Sequence, residues 1–284
     1  LPSGAADTGL NVSVTTGEAI NVGSYTAKAS VPDDGNYYIV PEETAKFTIN
    51  KKEATVTVTL SQTEIVFGSE APTATINYSG DSLGTPEFDY GGYKKGSDVG
   101  TYTVTVISGL ANDNYDITTT SASFTVKPYG LNIEWSDTTF TYNKAVQKPV
   151  ATISNPIEGL TAPAVTVTTY MPGNDTPISA SAVGKYIAKA SVSDGNYSIS
   201  SGETTDFTIS RIQVAIPTSG NNMLEYTGSQ LTYTPSGFDG NTMTITGNTG
   251  SYITEDAYKA EVSLKDIYEW SDKTTETKTF AWYI

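Results

Sequence analysis

The side chains that could do chemistry in this chain are mostly carboxylates, because the sequence has 31 Asp and Glu residues but no Cys and no His. Zinc sites built on Cys or His, thiol nucleophiles and Ser-His-Asp triads are therefore excluded. Two facing carboxylates could still hydrolyse a glycoside, but the acidic residues are scattered through predicted turns, at Asp33, Asp34, Glu42, Glu43, Asp113, Asp194 and Glu203. We therefore predict solvated loop charge and no enzymatic activity.

Three loops are rich in oxygen ligands that could hold calcium, at residues 32–36, 111–114 and 173–175. Carboxylate and carbonyl oxygens are the ligands that calcium takes in proteins. None of these loops has the D-x-D-x-D-G spacing of an EF-hand, and turn formation alone accounts for their Asn, Asp and Gly residues. We expect no cofactor, and we leave calcium open as a loop ligand that would raise the melting temperature.

Aromatic side chains are the remaining candidates for ligand contact, since an aromatic ring can stack on the apolar face of a sugar. The densest local cluster is Phe88, Tyr90 and Tyr93 beside two glycines, and we predict it as a ligand-contact loop. Tyr170 with Met171, and Trp270, are further candidates. The alternative for all of these rings is a place in the core or in a cross-strand pair.

Charge and hydropathy remove two classes of partner. The formal net charge is −15, the sequence pI is about 4.3, and Arg211 is the only arginine. Such a chain lacks the basic stripe that a phosphate backbone requires, so we predict no nucleic-acid binding. No apolar run approaches the 18 or so residues of a transmembrane helix, so we predict no membrane span in this segment.

The elements that must carry these side chains are β-strands. Residues 55–60, 101–106 and 165–168 alternate between apolar and hydroxyl-bearing side chains, which is typical of a sheet with one wet face. Clusters of Gly, Asn, Asp and Pro separate such runs, as turns require. No amphipathic helix is evident, and the sequence therefore predicts an all-β chain.

Three anchors recur in fixed order and divide the chain into copies of one unit. They are a Gly two residues before a Tyr, an Asn-Tyr pair, and a Phe that opens an apolar alternation; the Phe recurs every 73 to 83 residues. The anchors are Gly23 and Tyr25, Asn36 and Tyr37, Phe47; Gly100 and Tyr102, Asn114 and Tyr115, Phe124; Gly184 and Tyr186, Asn196 and Tyr197, Phe207; and, less completely, Tyr258 and Phe280.

This period suits a small sandwich of about seven strands. We predict an incomplete module at residues 1–50 and modules at 51–127, 128–210 and 211–284. The Tyr after the Gly matches the tyrosine corner of immunoglobulin-like sandwiches, in which the hydroxyl bonds to backbone at a corner. Links of one or two residues favour an elongated array of tandem domains. The first module has only 22 residues before its Gly anchor, so its opening strands are cut off or come from another segment.

The anchors resemble the immunoglobulin-like repeats of bacterial surface proteins, especially the MBG and YDG types of large adhesins. Residues 99–102, Asn114 with Tyr115, and residues 124–126 carry this resemblance, and residues 140–149 are similar to the second strand of that family. Residues 224–228 and 278–282 are similar to terminal repeats of Gram-positive surface proteins. The resemblance implies an extracellular, cell-surface location, with wall attachment through regions outside this segment, and it implies no catalytic or ligand residues.

These features predict a non-catalytic stalk or adhesin region of a secreted bacterial cell-surface protein. Its partners would be an extracellular protein or glycan, of unknown identity, and further repeats of the same chain. One alternative is a glycan- or protein-binding module, for which residues 161–182 of the third module are the place to look. Another is a virion or pilus subunit whose first module is completed by strand donation.

Overall fold

The computed structural model describes residues 11–32, 37, 39 and 43–284. These residues form twenty-four strands and no helix, which confirms the all-β prediction. The chain divides into two compact units, residues 1–129 and 130–284. This division lies two residues from the predicted boundary between the second and third modules. The tandem sandwiches and the four-module division stay predictions.

The first unit contains ten strands within its described residues: β1 (Ser13–Thr15), β2 (Gly23–Ser30), β3 (Thr44–Ile49), β4 (Lys52–Leu60), β5 (Glu64–Val66), β6 (Ala74–Asn77), β7 (Gly84–Asp89), β8 (Gly100–Leu110), β9 (Tyr115–Thr120) and β10 (Ala122–Lys127). They form three sheets with the strand orders β1-β2-β3, β6-β4-β9 and β5-β10-β8-β7. The last two sheets contact each other through β4, β8, β9 and β10.

Alternation along the strands explains the core of residues 51–127. In β4 the apolar residues Ala54, Val56 and Val58 are buried while the threonines between them are exposed. Because successive side chains point to opposite faces of a strand, this pattern places one apolar face toward the second sheet. There Val104 and Phe124 are buried in β8 and β10. Two pairings in this region are parallel, β4 with β9 and β5 with β10.

Residues 11–50 form a single antiparallel sheet of three strands in the described part of that segment. The alternation is present, since every second residue of β2 is half-buried. None of the described residues between 11 and 50 reaches full burial, however. This sheet therefore has the side-chain pattern of a sandwich face without the buried core of residues 51–127.

The second unit contains β11 (Tyr129–Ser136), whose first residue lies at the boundary, followed by β12 (Thr139–Thr141), β13 (Val150–Ile153), β14 (Thr166–Tyr170), β15 (Gly184–Ser191), β16 (Tyr197–Ser201), β17 (Thr204–Ser210), β18 (Ile212–Val214), β19 (Leu231–Thr232), β20 (Met243–Thr246), β21 (Thr249–Gly250), β22 (Tyr258–Leu264), β23 (Tyr268–Trp270) and β24 (Lys278–Trp282). The strand orders are β13-β11-β16, β12-β17-β15-β14, β18-β23, β19-β21 and β20-β22-β24.

Residues 128–210 repeat the strand order of residues 51–127. The sheet β12-β17-β15-β14 corresponds to β5-β10-β8-β7, and β13-β11-β16 corresponds to β6-β4-β9. The parallel pairing of β5 with β10 recurs as the parallel pairing of β12 with β17. The core of residues 128–210 is built from Ala180, Tyr186, Ala188, Phe207 and Ile209.

The last segment, residues 211–284, has a core of its own around two tryptophans. Trp270 and Trp282 are fully buried and pack with Tyr233, Met243 and Val262. The indole N–H of Trp270 donates to the carbonyl of Glu276 at 2.8 Å, so this polar group is satisfied inside the core. The strands of this segment are mostly shorter than the strands of residues 128–210, and the rings in its core are larger.

Candidate functional site

The anchor tyrosines turn the same corner in the first three predicted modules. Each tyrosine hydroxyl donates to the backbone carbonyl four residues earlier: Tyr25 to Asn21 at 2.7 Å, Tyr102 to Asp98 at 2.8 Å, and Tyr186 to Ala182 at 2.8 Å. These are the bonds that a tyrosine corner requires. In the last segment Tyr258 donates to Tyr252, six residues earlier, at 2.8 Å, so that corner is wider.

Each anchor tyrosine stacks on an aromatic ring directly across the ladder. The ring centroids are 5.6 Å apart for Tyr25 and Phe47, 5.7 Å for Tyr102 and Phe124, and 5.2 Å for Tyr186 and Phe207, with interplanar angles of 23–24°. In the last segment the ring opposite Tyr258 is Trp282, at 4.6 Å, while Phe280 lies opposite Ala260. The aromatic pair is therefore kept there with a different residue.

Two of the three anchor glycines lie next to these rings. A Cβ added at Gly23 or Gly184 would lie 3.4–3.5 Å from the tyrosine ring two residues later, which is ordinary van der Waals contact. A Cβ at Gly100 would meet nothing within 4 Å, so the contact is not common to all three anchors.

The Asn-Tyr anchor of residues 51–127 joins two segments of the first unit. The Asn114 side chain accepts a hydrogen bond from the amide of Val22 at 2.8 Å and donates to Asn21 Oδ1 at 2.9 Å. Its backbone carbonyl accepts the amide of Lys52 at 2.9 Å. The sequence had indicated only a turn here. The sequence feature that could have pointed to this contact is that Asn21 and Val22 stand immediately before the Gly23 anchor.

The tyrosines of two of the three Asn-Tyr anchors are buried. The buried Tyr115 donates its hydroxyl to Asp81 Oδ2 at 2.6 Å, and this bond raises the pKa of Tyr115 to about 12. Tyr197 is also buried and donates to the carbonyl of Thr161. The amide of Asn196 bonds to Asp194 Oδ1 at 2.9 Å within its turn. Tyr37 is exposed, and Asn36 lies outside the described residues.

The three rings of the predicted ligand loop differ in burial. Tyr93 is only 9% exposed, donates its hydroxyl to the carbonyl of Ser69 at 2.7 Å, and packs edge-on against Tyr102 and Phe124 at 5.0 and 5.1 Å. Burial raises its pKa. Tyr93 is therefore a core residue, packed against the stacked pair of Tyr102 and Phe124. The predicted ligand contact at the half-buried Phe88 and Tyr90 stays a prediction.

The oxygen-rich loops use their amide oxygens to build turns. Asn112 Oδ1 accepts the amide of Asn114 at 3.0 Å, and Asn174 Oδ1 accepts the amide of Thr176 at 2.9 Å. Across residues 11–32, 37, 39 and 43–284, no three acidic side chains converge so as to hold a metal ion. Residues 33–36 of the first loop, and Glu42, lie outside the described residues, and calcium binding stays a prediction.

A groove of about 560 Å³ lies on the outer face of the sheet β12-β17-β15-β14. Its floor is formed by Tyr170, Ile187, Lys189 and Thr204, and its wall by a loop after β14, at residues 171–175. This is part of the region, residues 161–182, that the sequence indicated for a binding module.

The charges in this groove are partly paired. Lys189 Nζ lies 3.1 Å from Glu203 Oε1, and this contact is the main reason that the pKa of Lys189 is raised. The electrostatic influence of Tyr170 and Asp175 acts on the pKa of Lys189 in the same direction. The groove therefore combines an aromatic ring, an aliphatic side chain and both signs of charge, which is a composition suited to binding a small polar ligand.

Among known families, residues 56–125 match the model described as MBG domain (YGX type). This match covers about a quarter of the chain and confirms the resemblance predicted from the anchors of that segment. No curated protein matches the chain. In the described residues, no helix has the length and apolar character that crossing a membrane would need.

Two solved structures of surface proteins are similar to the chain. One is the crystal structure of the S-layer protein rSbsC(31-844), at 13% identity and a TM-score of 0.22, covering 96% of this chain and 48% of that one. The other is the Yersinia pseudotuberculosis adhesin InvE, at 11% identity and a TM-score of 0.15, covering 97% and 60%. The chain thus spans about half the length of the first and three fifths of the second.

Proposed function

We propose that this chain is a non-catalytic, tension-bearing segment of a secreted bacterial cell-surface protein with an adhesin-like role. The MBG match at residues 56–125 supports this proposal, as does the all-β fold. The observation that carries it is the position of the closing strand in residues 51–127 and 128–210. In both segments this strand lies between an antiparallel and a parallel neighbour from the same segment.

The parallel pairing is well bonded in both segments. Between β5 and β10, the amide of Thr125 donates to the carbonyl of Thr63 and the amide of Phe67 donates to Lys127, both at 2.8 Å. Between β12 and β17, the corresponding bonds are Thr208 to Thr138 at 3.0 Å and Tyr142 to Ser210 at 2.9 Å. Residues at corresponding positions therefore form two such bonds in each segment. We call these two bonds the clamp on the closing strand.

The direction of pairing decides how tension acts on these bonds. β5 and β12 are each the second strand of their segment, after β4 and β11, and each runs parallel to the closing strand. Tension that reaches β5 or β12 from its N-terminal end and the closing strand from its C-terminal end therefore pulls the two strands in opposite directions along the ladder and loads its bonds together. An antiparallel pair pulled in the same way would instead open one bond at a time. This geometry favours a role in which the segment transmits force.

Single-molecule pulling on the whole chain, held at its two ends, tests the proposal. Thr208→Pro removes the amide that donates to Thr138, and we expect it to lower the rupture force of one unfolding event. Thr139→Pro is the matched control. Amides alternate in direction along a strand, and the Tyr142 amide points to β17, so the Thr139 amide points away from the clamp.

The expected result is a strong rupture in the parent chain, a weaker one in Thr208→Pro, and an unchanged one in Thr139→Pro. Rupture forces that are equally low in all three chains would contradict a mechanical role. Equal weakening by both prolines would show that a proline anywhere in this strand pair lowers the rupture force, and that the bond from Thr208 to Thr138 is not responsible.

A further inference from the structure

We propose that the groove on the outer face of β14, β15 and β17 binds a neutral glycan, with a pyranose ring stacked on Tyr170. This site goes beyond the tension-bearing function and does not depend on it. The proposal stands on the residues that form the floor, on the loop that forms the wall, on the charges between them, and on a comparison with the corresponding sheet of residues 51–127.

The floor of the groove is fixed by strand register. Tyr170 lies directly opposite Ile187 in the ladder between β14 and β15, and Lys189 lies opposite Thr204 in the ladder between β15 and β17. Residues opposite each other, and residues two apart on one strand, share a face of the sheet. These four side chains therefore form one continuous outer face, while Tyr186 on β15 points into the core on the other side.

The wall is a structured turn. The amide of Asn174 donates to the carbonyl of Met171 at 3.1 Å, and Gly173 has a φ of +76°, which suits glycine. The returning chain is held against β14 because the amide of Ile178 donates to the carbonyl of Thr169 at 2.9 Å. The groove is therefore formed before a ligand arrives, with Met171 and Asp175 along its rim.

The charges select for a neutral ligand. Among the residues that line the groove, Asp175 is anionic and Lys189 is cationic, and the ammonium of Lys189 already lies 3.1 Å from Glu203 Oε1. With Lys189 paired in this way, an anionic sugar would meet the negative charge of Asp175, whereas sugar hydroxyls can donate to carboxylate oxygens and accept from Lys189. The ring of Tyr170 offers an apolar surface for the hydrophobic face of a pyranose. The groove has a volume of about 560 Å³, which lies within the usual range of small-ligand sites.

The corresponding sheet of residues 51–127 lacks this floor. Gly100 corresponds to Gly184, so Thr103 corresponds to Ile187 and Thr105 to Lys189. Extending the pairing of Asp89 with Thr105 along the ladder places Gly91 opposite Thr103, where the other sheet has Tyr170. Since the fold is built there without a ring or a lysine, the aromatic floor is a feature of residues 128–210 that the sheet itself does not require.

The test is an array of neutral, amino and sialylated oligosaccharides probed with the whole chain, followed by calorimetry with each glycan that binds. We expect binding to neutral pyranose oligosaccharides. Tyr170→Ala should weaken it at least about tenfold, while Tyr170→Phe should keep it because the stacking ring remains. Tyr226→Ala is the control, since Tyr226 is 51% exposed and lies outside the groove.

Several outcomes would overturn the site. These are no binding to any neutral glycan, binding only to sialylated glycans, or equal affinity in the parent chain and Tyr170→Ala. Binding of a cationic peptide but of no sugar would also overturn it. Circular dichroism and the rupture force of each variant show whether residues 128–210 remain folded. A failure of this site would leave rupture forces unchanged, so it is distinguishable from a failure of the tension-bearing function.

Discussion

Two phenylalanines at the same anchor position should differ greatly in what they contribute to stability. Phe207 is 2% exposed, stacks on Tyr186 at 5.2 Å and meets Phe140 edge-on at 6.0 Å. Phe47 stacks on Tyr25 in nearly the same geometry, at 5.6 Å, but its side chain is only half-buried. The substitutions Phe207→Ala and Phe47→Ala therefore remove the same pair from two different environments.

The expected magnitudes follow from burial. Truncating a fully buried Phe to Ala costs about 3–5 kcal/mol, because transfer energy and a cavity term add. A half-buried ring loses only part of its transfer energy and one stacking contact, which together amount to about 1–2 kcal/mol. Phe207→Leu keeps most of the apolar volume and should cost less than Phe207→Ala.

Hydrogen exchange followed by mass spectrometry on the whole chain measures these losses separately for each sheet. Because each 1.4 kcal/mol corresponds to a factor of ten, Phe207→Ala should lower the protection of β15 and β17 by roughly two to three and a half powers of ten. Phe47→Ala should lower the protection of β2 and β3 by roughly 5–30-fold. Equal losses at the two sites, or a loss below tenfold at β17, would refute the reasoning.

Two further predictions concern a glycine and a carboxylate. At Gly202, φ is +71° and an added Cβ would lie 2.0 Å from the carbonyl oxygen of Ile133, so Gly202→Ala should destabilise by more than about 1 kcal/mol in thermal unfolding. The control Gly173→Ala has open space and should cost less. Hydrogen bonding, first from Thr274, lowers the pKa of Asp272 to about 2. Its contribution to stability is thus present above the ordinary value of about 3.9 and lost as the pH falls through 2, and NMR titration of the carboxyl should give that midpoint.

The fold class was predictable because burial in a sheet repeats every two residues. The threonines of β4 alternate with Ala54, Val56 and Val58 in the sequence, and the structure exposes the first set and buries the second. The anchors were recognisable for the same reason, since Gly-x-Tyr and Phe open alternating strands. The stacking of each Tyr on its Phe was not predicted, because it depends on which strands pair.

The site was predictable only in part, because the missing information is non-local. Tyr93 stands among turn residues, and only the approach of Tyr102 and Phe124 makes it a core ring. Nothing in the sequence around Ile187 predicts that this residue lines the groove, because that depends on the strand register that places Tyr170 opposite it. The sequence indicated residues 161–182 as the place to look, and Tyr170 lies in that range, whereas the other floor residues, Ile187, Lys189 and Thr204, lie on strands that follow it.

The junction within the first unit brings two kinds of anchor into one contact. Tyr25 donates to the carbonyl of Asn21, and the side chain of the same Asn21 accepts from Asn114. The tyrosine corner of one segment is thus bonded directly to the Asn-Tyr turn of the next. The bonds that cross between the two segments are those of Asn114 to Val22 and to Asn21, while the bond of Lys52 to Asn114 lies within residues 51–127. In the first unit, the two anchors therefore belong to one contact between neighbouring segments.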